Sequence, residues 1–269
     1  MNRCEWVHIS KTQITEYMRK WSSNTDNTCF TGLDILCMPT ATSTNDIAKE
    51  RIKSAAGNTL TVAETQTAGR GRMGRTFHSP DKTGAYFTLT LRGEWDVKDA
   101  LKFTSLAAVC VCRAIEELTD LSPKIKWVND IYIGDKKVCG ILCETSLSAQ
   151  GKVADVILGI GINLTTEIFP SDIPNAGSLN IKELQRAEII ALTCLGILKE
   201  TPFITQNKHF EYYKSHSLAL DKPVYFIENG IRYDGIVTKI TKDYGLSVTL
   251  ENGQIKTLSS GEITLRIKN

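Results

Sequence analysis

Two textures divide this 269-residue chain near Pro223, and no single regular architecture accommodates both. Ahead of Pro223, strand-like and helix-like segments alternate from Asp34 onward. Beyond it, short β-rich runs are broken at Asn229-Gly230, Asp243-Tyr244-Gly245 and Asn252-Gly253, whose residues suit tight hairpins. Hairpin breaks at that spacing fit a small all-β barrel. The chain is therefore read as α+β, with a mixed or largely antiparallel sheet and packed helices over residues 34–220. Residues 221–269 form the small C-terminal β-barrel and residues 1–33 an N-terminal appendage.

Within the larger part, β-branched content and alternation predict strands at Asp34–Met38, Thr59–Ala63, Gly84–Leu91, Lys124–Ile133, Lys137–Thr145 and Val153–Ile162. Gly134-Asp135 has the composition of a tight turn between two of them. Helices are expected over 11–21, from an N-cap at Ser43 to about Ala56, over 98–119 ahead of Pro123, and over 181–199 and 205–219. Residues 65–80 and 164–180 read as loops, and Ser22 to Asn27 as a turn.

Composition narrows the classes of function. Hydrophobic residues make up 42% and charged residues 23%, which is ordinary for a globular protein, and the net charge of +2 offers no global attraction for nucleic acid or membrane. No run approaches the ~18–20 apolar residues of a membrane helix. The N-terminus mixes Arg3, Lys11, Arg19 and Lys20 with Glu5 and Glu16 and reads poorly as a targeting peptide, so a cytoplasmic location follows by default. The eight cysteines have no zinc-ligand spacing and read as buried reduced thiols, although Cys139 and Cys143 lie near the candidate site and incidental reactivity there is open. No metal-ligating set of side chains is identified.

The chemistry concentrates in the run Gly69-Arg70-Gly71-Arg72-Met73-Gly74-Arg75, directly after a strand. Glycines let backbone N–H groups approach an anion, and arginines add forked donors matched to carboxylate and phosphate. A flexible RNA-binding segment and a solvated turn are the two lesser readings of this loop taken on its own. Four further segments each carry a plain structural reading as well. Ser43-Thr44-Asn45 serves as a helix cap. Lys126-Trp127-Val128-Asn129-Asp130 reads as a strand end with a packed Trp. Lys137 through Glu144 is an edge strand entered by a lysine. Gly159-Ile160-Gly161-Ile162-Asn163 is a Gly-rich buried strand end, and its functional reading is that the small residues leave room for a planar base.

Taken in order, these five segments resemble the biotin–protein ligase family, which carries each of them in the same succession; Ser260-Gly261-Glu262-Ile263 resembles the family's C-terminal close. The resemblance covers roughly residues 34–269. Val128 stands where the family usually has Pro, and Phe77 where some members have Trp. The resemblance implies a catalytic domain like that of class II aminoacyl-tRNA synthetases and an SH3-like C-terminal barrel. It implies an ATP-dependent, AMP-forming ligase that makes biotinyl-5′-AMP and passes biotin to a lysine of a biotin carboxyl carrier domain of a carboxylase, with Mg²⁺ as counter-charge to the polyphosphate.

By position, Ser43, Thr44, Asn45, Gln66, Gly69 and Gly140 are expected around biotin. Arg70, Arg72 and Lys137 are expected to clamp carboxylate and phosphate, with Arg75, Phe77, Asn129 and Asn163 toward the nucleotide. Asp130 is expected to orient or deprotonate the incoming lysine. The Gly/Arg loop is expected to be mobile until ligand orders it. Lipoate–protein ligase is the neighbouring enzymatic reading, against which the loop and the C-terminal module argue. A DNA-binding repressor fits poorly with the short segment before Asp34, a non-catalytic biotin-binding module is disfavoured by the complete set of cations, and a homodimer is open.

Overall fold

A computed structural model of the protein describes residues 8–22, 28–181 and 186–259, together with the backbone of 264–267. The motif at 260–263 and the ends of two predicted segments lie outside the described residues.

Seven strands form the larger sheet: β1 (Asp34–Ala41), β2 (Thr59–Gln66), β3 (Gly84–Trp95), β4 (Lys124–Lys126), β5 (Asp130–Ile133), β6 (Lys136–Leu147) and β7 (Val153–Asn163). Their order across the sheet is β1-β2-β3-β7-β6-β5-β4, with β1 parallel to β2 and every other neighbour antiparallel. The predicted single strand over Lys124–Ile133 is two strands, because the chain turns at Trp127-Val128-Asn129, where the Trp127–Val128 peptide is cis. Gly134, at φ 57°, makes the tight turn between β5 and β6.

Helix α1 (Lys11–Trp21) matches its predicted bounds and begins with a capping box that the sequence reading did not identify: Gln13 N–H donates to Ser10 Oγ at 3.3 Å and Ser10 N–H to Gln13 Oε1 at 3.0 Å. Ile14 and Met18, four residues apart on one face, are buried, so this segment belongs to the core. Helix α2 (Thr44–Ile52) stops short of Ala56. Helix α3 (Ala100–Leu118) follows a 3₁₀ turn at 97–99 and is buried along most of its length between the sheet and α4 (Arg186–Glu200). No helix among the described residues is long and apolar enough to cross a membrane.

The predicted helix over 205–219 is instead a 3₁₀ segment at Thr201–Gln206 and the short α5 (Phe210–Ser215), separated by Asn207 in the left-handed region. Here packing overrides periodicity. His209 stacks on Tyr244 at 5.2 Å, and Phe210 and Tyr213 meet the same ring edge-on. Tyr244 comes from the second sheet, an antiparallel set of β8 (Pro223–Glu228), β9 (Ile231–Ile240), β10 (Leu246–Leu250), β11 (Ile255–Leu258) and β12 (Thr264–Ile267) in the order β11-β10-β9-β8-β12. All three hairpin signals fall at its turns. The indole of Trp127 donates to the Tyr244 carbonyl at 2.7 Å, tying the two sheets together.

One ion pair anchors the N-terminal segment. The Glu64 carboxylate on β2 meets Arg186 of α4 and accepts the Ile9 N–H at 2.7 Å, with Glu64 and Arg186 both buried. Removing one partner of a buried pair strands the other charge, so Arg186→Met is expected to lower stability by about 3–5 kcal/mol. Urea unfolding of the two proteins measures this; a loss below about 1 kcal/mol would assign the pair to the solvated class.

Candidate active site

The floor of the site is β7. Its pairing sets Gly159 beside Thr88 of β3 and Leu142 of β6, and Gly161 beside Tyr86 and Gly140. Side chains alternate along a strand, so Leu158, Ile160 and Ile162 fill the core while the glycines open the opposite face. A Cβ on Gly159 would lie 2.1 Å from Asn45 Oδ1, and one on Gly161 would lie 2.4 Å from Phe77 Cε1. The glycines expected to seat a planar base thus make clearance for the protein's own Asn45 amide and Phe77 ring. Gly140 lies under the same ring, its would-be Cβ 3.1 Å from Phe77 Cε2 and 3.3 Å from Lys137 Nζ.

Lys137 reaches this face through a bulge. Ile131 pairs with Cys139 but Tyr132 pairs with Lys137, so one extra residue is taken up on β6. A regular strand would aim residues 137 and 140 to opposite faces; the bulge returns Lys137 to the side of Gly140. Its Nζ lies 2.8 Å from Asp130 Oδ1.

The Gly/Arg loop folds as a small hairpin. Phe77 N–H donates to Gly69 O at 2.9 Å and Gly71 N–H to Arg75 O at 2.7 Å around a 3₁₀ turn in which Met73 and Gly74 have positive φ. Gly69 is required by close packing, since a Cβ there would meet Phe77 O at 2.5 Å. Arg72 Nη1 donates to Asn129 Oδ1 at 3.1 Å, and Asn129 Nδ2 donates to Ile141 O at 2.7 Å. Burial pulls the Arg72 guanidinium below its usual pKa, opposed by the charge of Asp130. Arg75 is exposed.

Arg70 and the ring-side residues share a second network. Glu144 Oε1 pairs with Lys49 Nζ at 2.7 Å, and its Oε2 accepts from Asn45 Nδ2 at 2.8 Å and Arg70 Nη2 at 3.3 Å. Asn45 Oδ1 lies 2.7 Å from Thr88 Oγ, which lies 2.8 Å from Thr44 Oγ. Gln66 Oε1 accepts the Thr44 N–H at 2.8 Å, and Gln66 Nε2 donates to Ser79 Oγ at 2.9 Å. Polar contacts therefore run unbroken from Lys49 to Ser79 across β6, α2, β3 and β2. Ser43 is buried and occupies the expected N-cap position of α2, although its side chain makes no capping hydrogen bond.

Of the sequence-identified residues, Thr44, Asn45, Gln66, Gly69, Arg70, Arg72, Phe77, Asn129, Asp130, Lys137 and Gly140 gather on this face. Asn163 stands apart in its contacts: it is buried and donates to Gly177 O at 3.0 Å, pinning the loop after β7. Lys49, Thr88, Ser79 and the central carboxylate Glu144 were not identified as site residues. Burial pushes the Cys143 thiol up to about 12 and raises Cys139 further, so the incidental reactivity left open for both is not supported.

Residues 37–163 match the model of the biotin/lipoate A/B protein ligase family. The chain is 40% identical over 159 residues to the bifunctional ligase/repressor BirA of Bacillus subtilis, covering 59% of this chain and 48% of that protein, so it spans about half of that relative's length. It is 34% identical over 139 residues to the biotin–[acetyl-CoA-carboxylase] ligase of Paracoccus denitrificans, covering 51% and 55%. Among solved structures, an arginine-to-glycine variant of the biotin protein ligase from Aquifex aeolicus in complex with biotin superposes with a TM-score of 0.72 at 30% identity, over 87% of this chain and 98% of that one. The structure of that ligase in complex with biotin and ATP gives a TM-score of 0.72 at 29% identity, over 87% and 99%.

Glu144 supplies the pH test of this geometry. Burial raises its carboxyl pKa, but hydrogen bonds from Lys49 and Asn45 and the charge of Arg70 outweigh burial and leave it below the usual value. A carboxyl that titrates lower in the folded state contributes stability above its unfolded pKa and loses it as pH falls through the folded one. Glu144→Gln is expected to flatten the acid decline in melting temperature between neutral pH and about pH 3. Parallel declines in both proteins would mean that Glu144 is not stabilised by its neighbours.

Proposed function

The chain belongs to the biotin/lipoate A/B protein ligase family, and from that premise we propose that it is a biotin–protein ligase, joining biotin to a carrier-domain lysine at the expense of ATP. The observation that carries this reading is the gathering of Arg70, Arg72 and Lys137 on one glycine-floored face. The reaction brings a carboxylate to a polyphosphate, and their mutual repulsion is the barrier that fixed cations lower.

In the first step a biotin carboxylate oxygen attacks the α-phosphorus of ATP. The bond to the β-phosphate oxygen breaks, releasing pyrophosphate and leaving biotinyl-5′-AMP. In the second step a neutral lysine amine attacks the acyl carbon, AMP leaves with the bonding pair, and the amine gives up a proton. Arg70, Arg72 and Lys137 hold carboxylate and phosphate oxygens. Ser43, Thr44, Asn45, Gln66 and the backbone at Gly69 and Gly140 line the biotin end. Phe77, Arg75 and Asn129 bear on the nucleotide, while Asn163 acts through the loop it pins. Asp130 orients the acceptor amine or takes its proton, a role supported by its pairing with Lys137.

Among the described residues no three His, Cys, Asp or Glu side chains group as a metal site. Mg²⁺ would supply counter-charge to the polyphosphate, held mostly through phosphate oxygens and water. The catalytic unit spans 34–220 with residues 8–22 packed against it, and 221–269 form the second module. The acceptor is the biotin carboxyl carrier domain of a carboxylase.

Biotin-dependent ATP–pyrophosphate exchange on the purified protein tests the reading, with lipoate offered in parallel. Exchange with biotin alone is expected. Exchange with lipoate alone moves the chain to the lipoate branch, and exchange with neither acid overturns ligation. Lys137→Ala is expected to keep its fold and lose about 2–4 kcal/mol of transition-state stabilisation, the scale of one preorganised donor. Near-normal exchange by the folded variant would remove Lys137 from the mechanism.

A further inference from the structure

Among the described residues Arg70 is gripped by one nitrogen only: its Nη2 lies 2.6 Å from Asp46 Oδ1 and 3.3 Å from Glu144 Oε2, while its Nε is buried with no hydrogen-bond partner there. A guanidinium offers its best pairing along an edge, with two donors meeting two oxygens of one carboxylate or phosphate. The contact seen here leaves a buried donor unpaid, so it is a poorer arrangement than an incoming anion would provide.

The two carboxylates holding Arg70 are not equivalent. Glu144 keeps Lys49 and Asn45 if Arg70 moves away. For Asp46, Arg70 is the one cation paired with it among the described residues. Asp46 is 46% exposed and sits in the first turn of α2, where water and the helix N-terminus both tolerate a free carboxylate. It can therefore release Arg70 at small cost.

We propose that Asp46 sets the affinity of this site for its anionic substrate by competing with that substrate's carboxylate for Arg70. The inference rests on the reading above, in which Arg70 grips the carboxylate of biotin. Substrate arrival moves the guanidinium from a single-nitrogen contact with Asp46 to a two-nitrogen grip on the ligand. Asp46 is thus an affinity-determining residue that touches no reacting atom.

Equilibrium binding of biotin and of uncharged biotin amide to the full chain, and to its Asp46→Asn and Asp46→Glu variants, tests this. An exposed ion pair is weak, so Asp46→Asn is expected to bind biotin about 2–5-fold more tightly at low salt. The advantage should shrink at about 0.5 M salt, where such charges are screened. Biotin amide should bind Asp46→Asn and the parent chain equally, and Asp46→Glu, which keeps the competitor, should bind biotin as the parent does. Unchanged or weaker biotin binding by a folded Asp46→Asn protein overturns the competition, as does an equal gain for the amide. If the parent chain binds neither compound, the ligase reading and this inference fail together; if it binds biotin and Asp46→Asn matches it, only the role of Asp46 fails.

Discussion

Where β6 and β7 pair, Gly140 faces Gly161, and with no side chain rising between them the Phe77 ring comes to rest against the strand backbone. Two residues along β7, Gly159 leaves the same kind of space for the Asn45 amide. Both clearances depend on register. A one-residue slip of β7 would turn Leu158, Ile160 and Ile162 onto this face and bury the glycines in the core, so the packing that holds the apolar face also holds the site open. The hydrogen bond from Asn45 to Glu144 and the seat of Phe77 over Gly140 and Gly161 then follow from a position already decided by the core.

On that face the protein keeps positive charge concentrated without leaving it bare. Lys137 has Asp130, Arg72 has Asn129, and Arg70 has Asp46 with Glu144. Unpartnered cations in a half-buried cleft would repel one another and pay desolvation; burial already pulls Arg72 below its usual pKa. With partners in place the cluster is stable, and each partner differs in how readily it yields. Asn129 is fixed by Ile141 on one side, Glu144 is held by Lys49 and Asn45, and Asp46 is open to solvent. The near-zero net charge of the whole chain says nothing of this local arrangement.

Much of the fold was legible because its signals are local. Alternation and β-branched content located β1, β2, β3, β6 and β7 to within a few residues but ran β4 and β5 together as one strand, the break residues located the C-terminal hairpins, and residues 11–21 form the expected helix. The five chemical segments were legible as short motifs, and most of their residues meet on one face. What escaped has long-range causes. Glu144 is joined to Lys49 and Asn45 across 95 and 99 residues, and Glu64 to Arg186 across 122, so no window of sequence contains either pairing. The bulge that re-aims Lys137 is a property of two strands together, and alternation along β6 alone would place that lysine on the wrong face. Helix α5 is shorter than its periodicity suggested because its aromatic residues are taken up by Tyr244.

Trp127 through Asp130 shows how the two sheets share one mechanical task. Trp127 is held by its indole N–H on the Tyr244 carbonyl, Val128 by the Tyr213 hydroxyl donating to its carbonyl at 3.3 Å, and Asn129 by Ile141. The next contacts outward are Arg72 on Asn129 and Lys137 on Asp130. Two of the clustered cations are thus positioned by a four-residue segment whose own anchors include the hairpin of the second sheet and helix α5. Stabilising a developing charge is sensitive to displacements near 1 Å, so a support of this kind has to be stiff. Tyr244 meets that need: its ring is enclosed by His209, Phe210 and Tyr213, and its backbone carbonyl, which cannot change rotamer, is the atom that receives the indole.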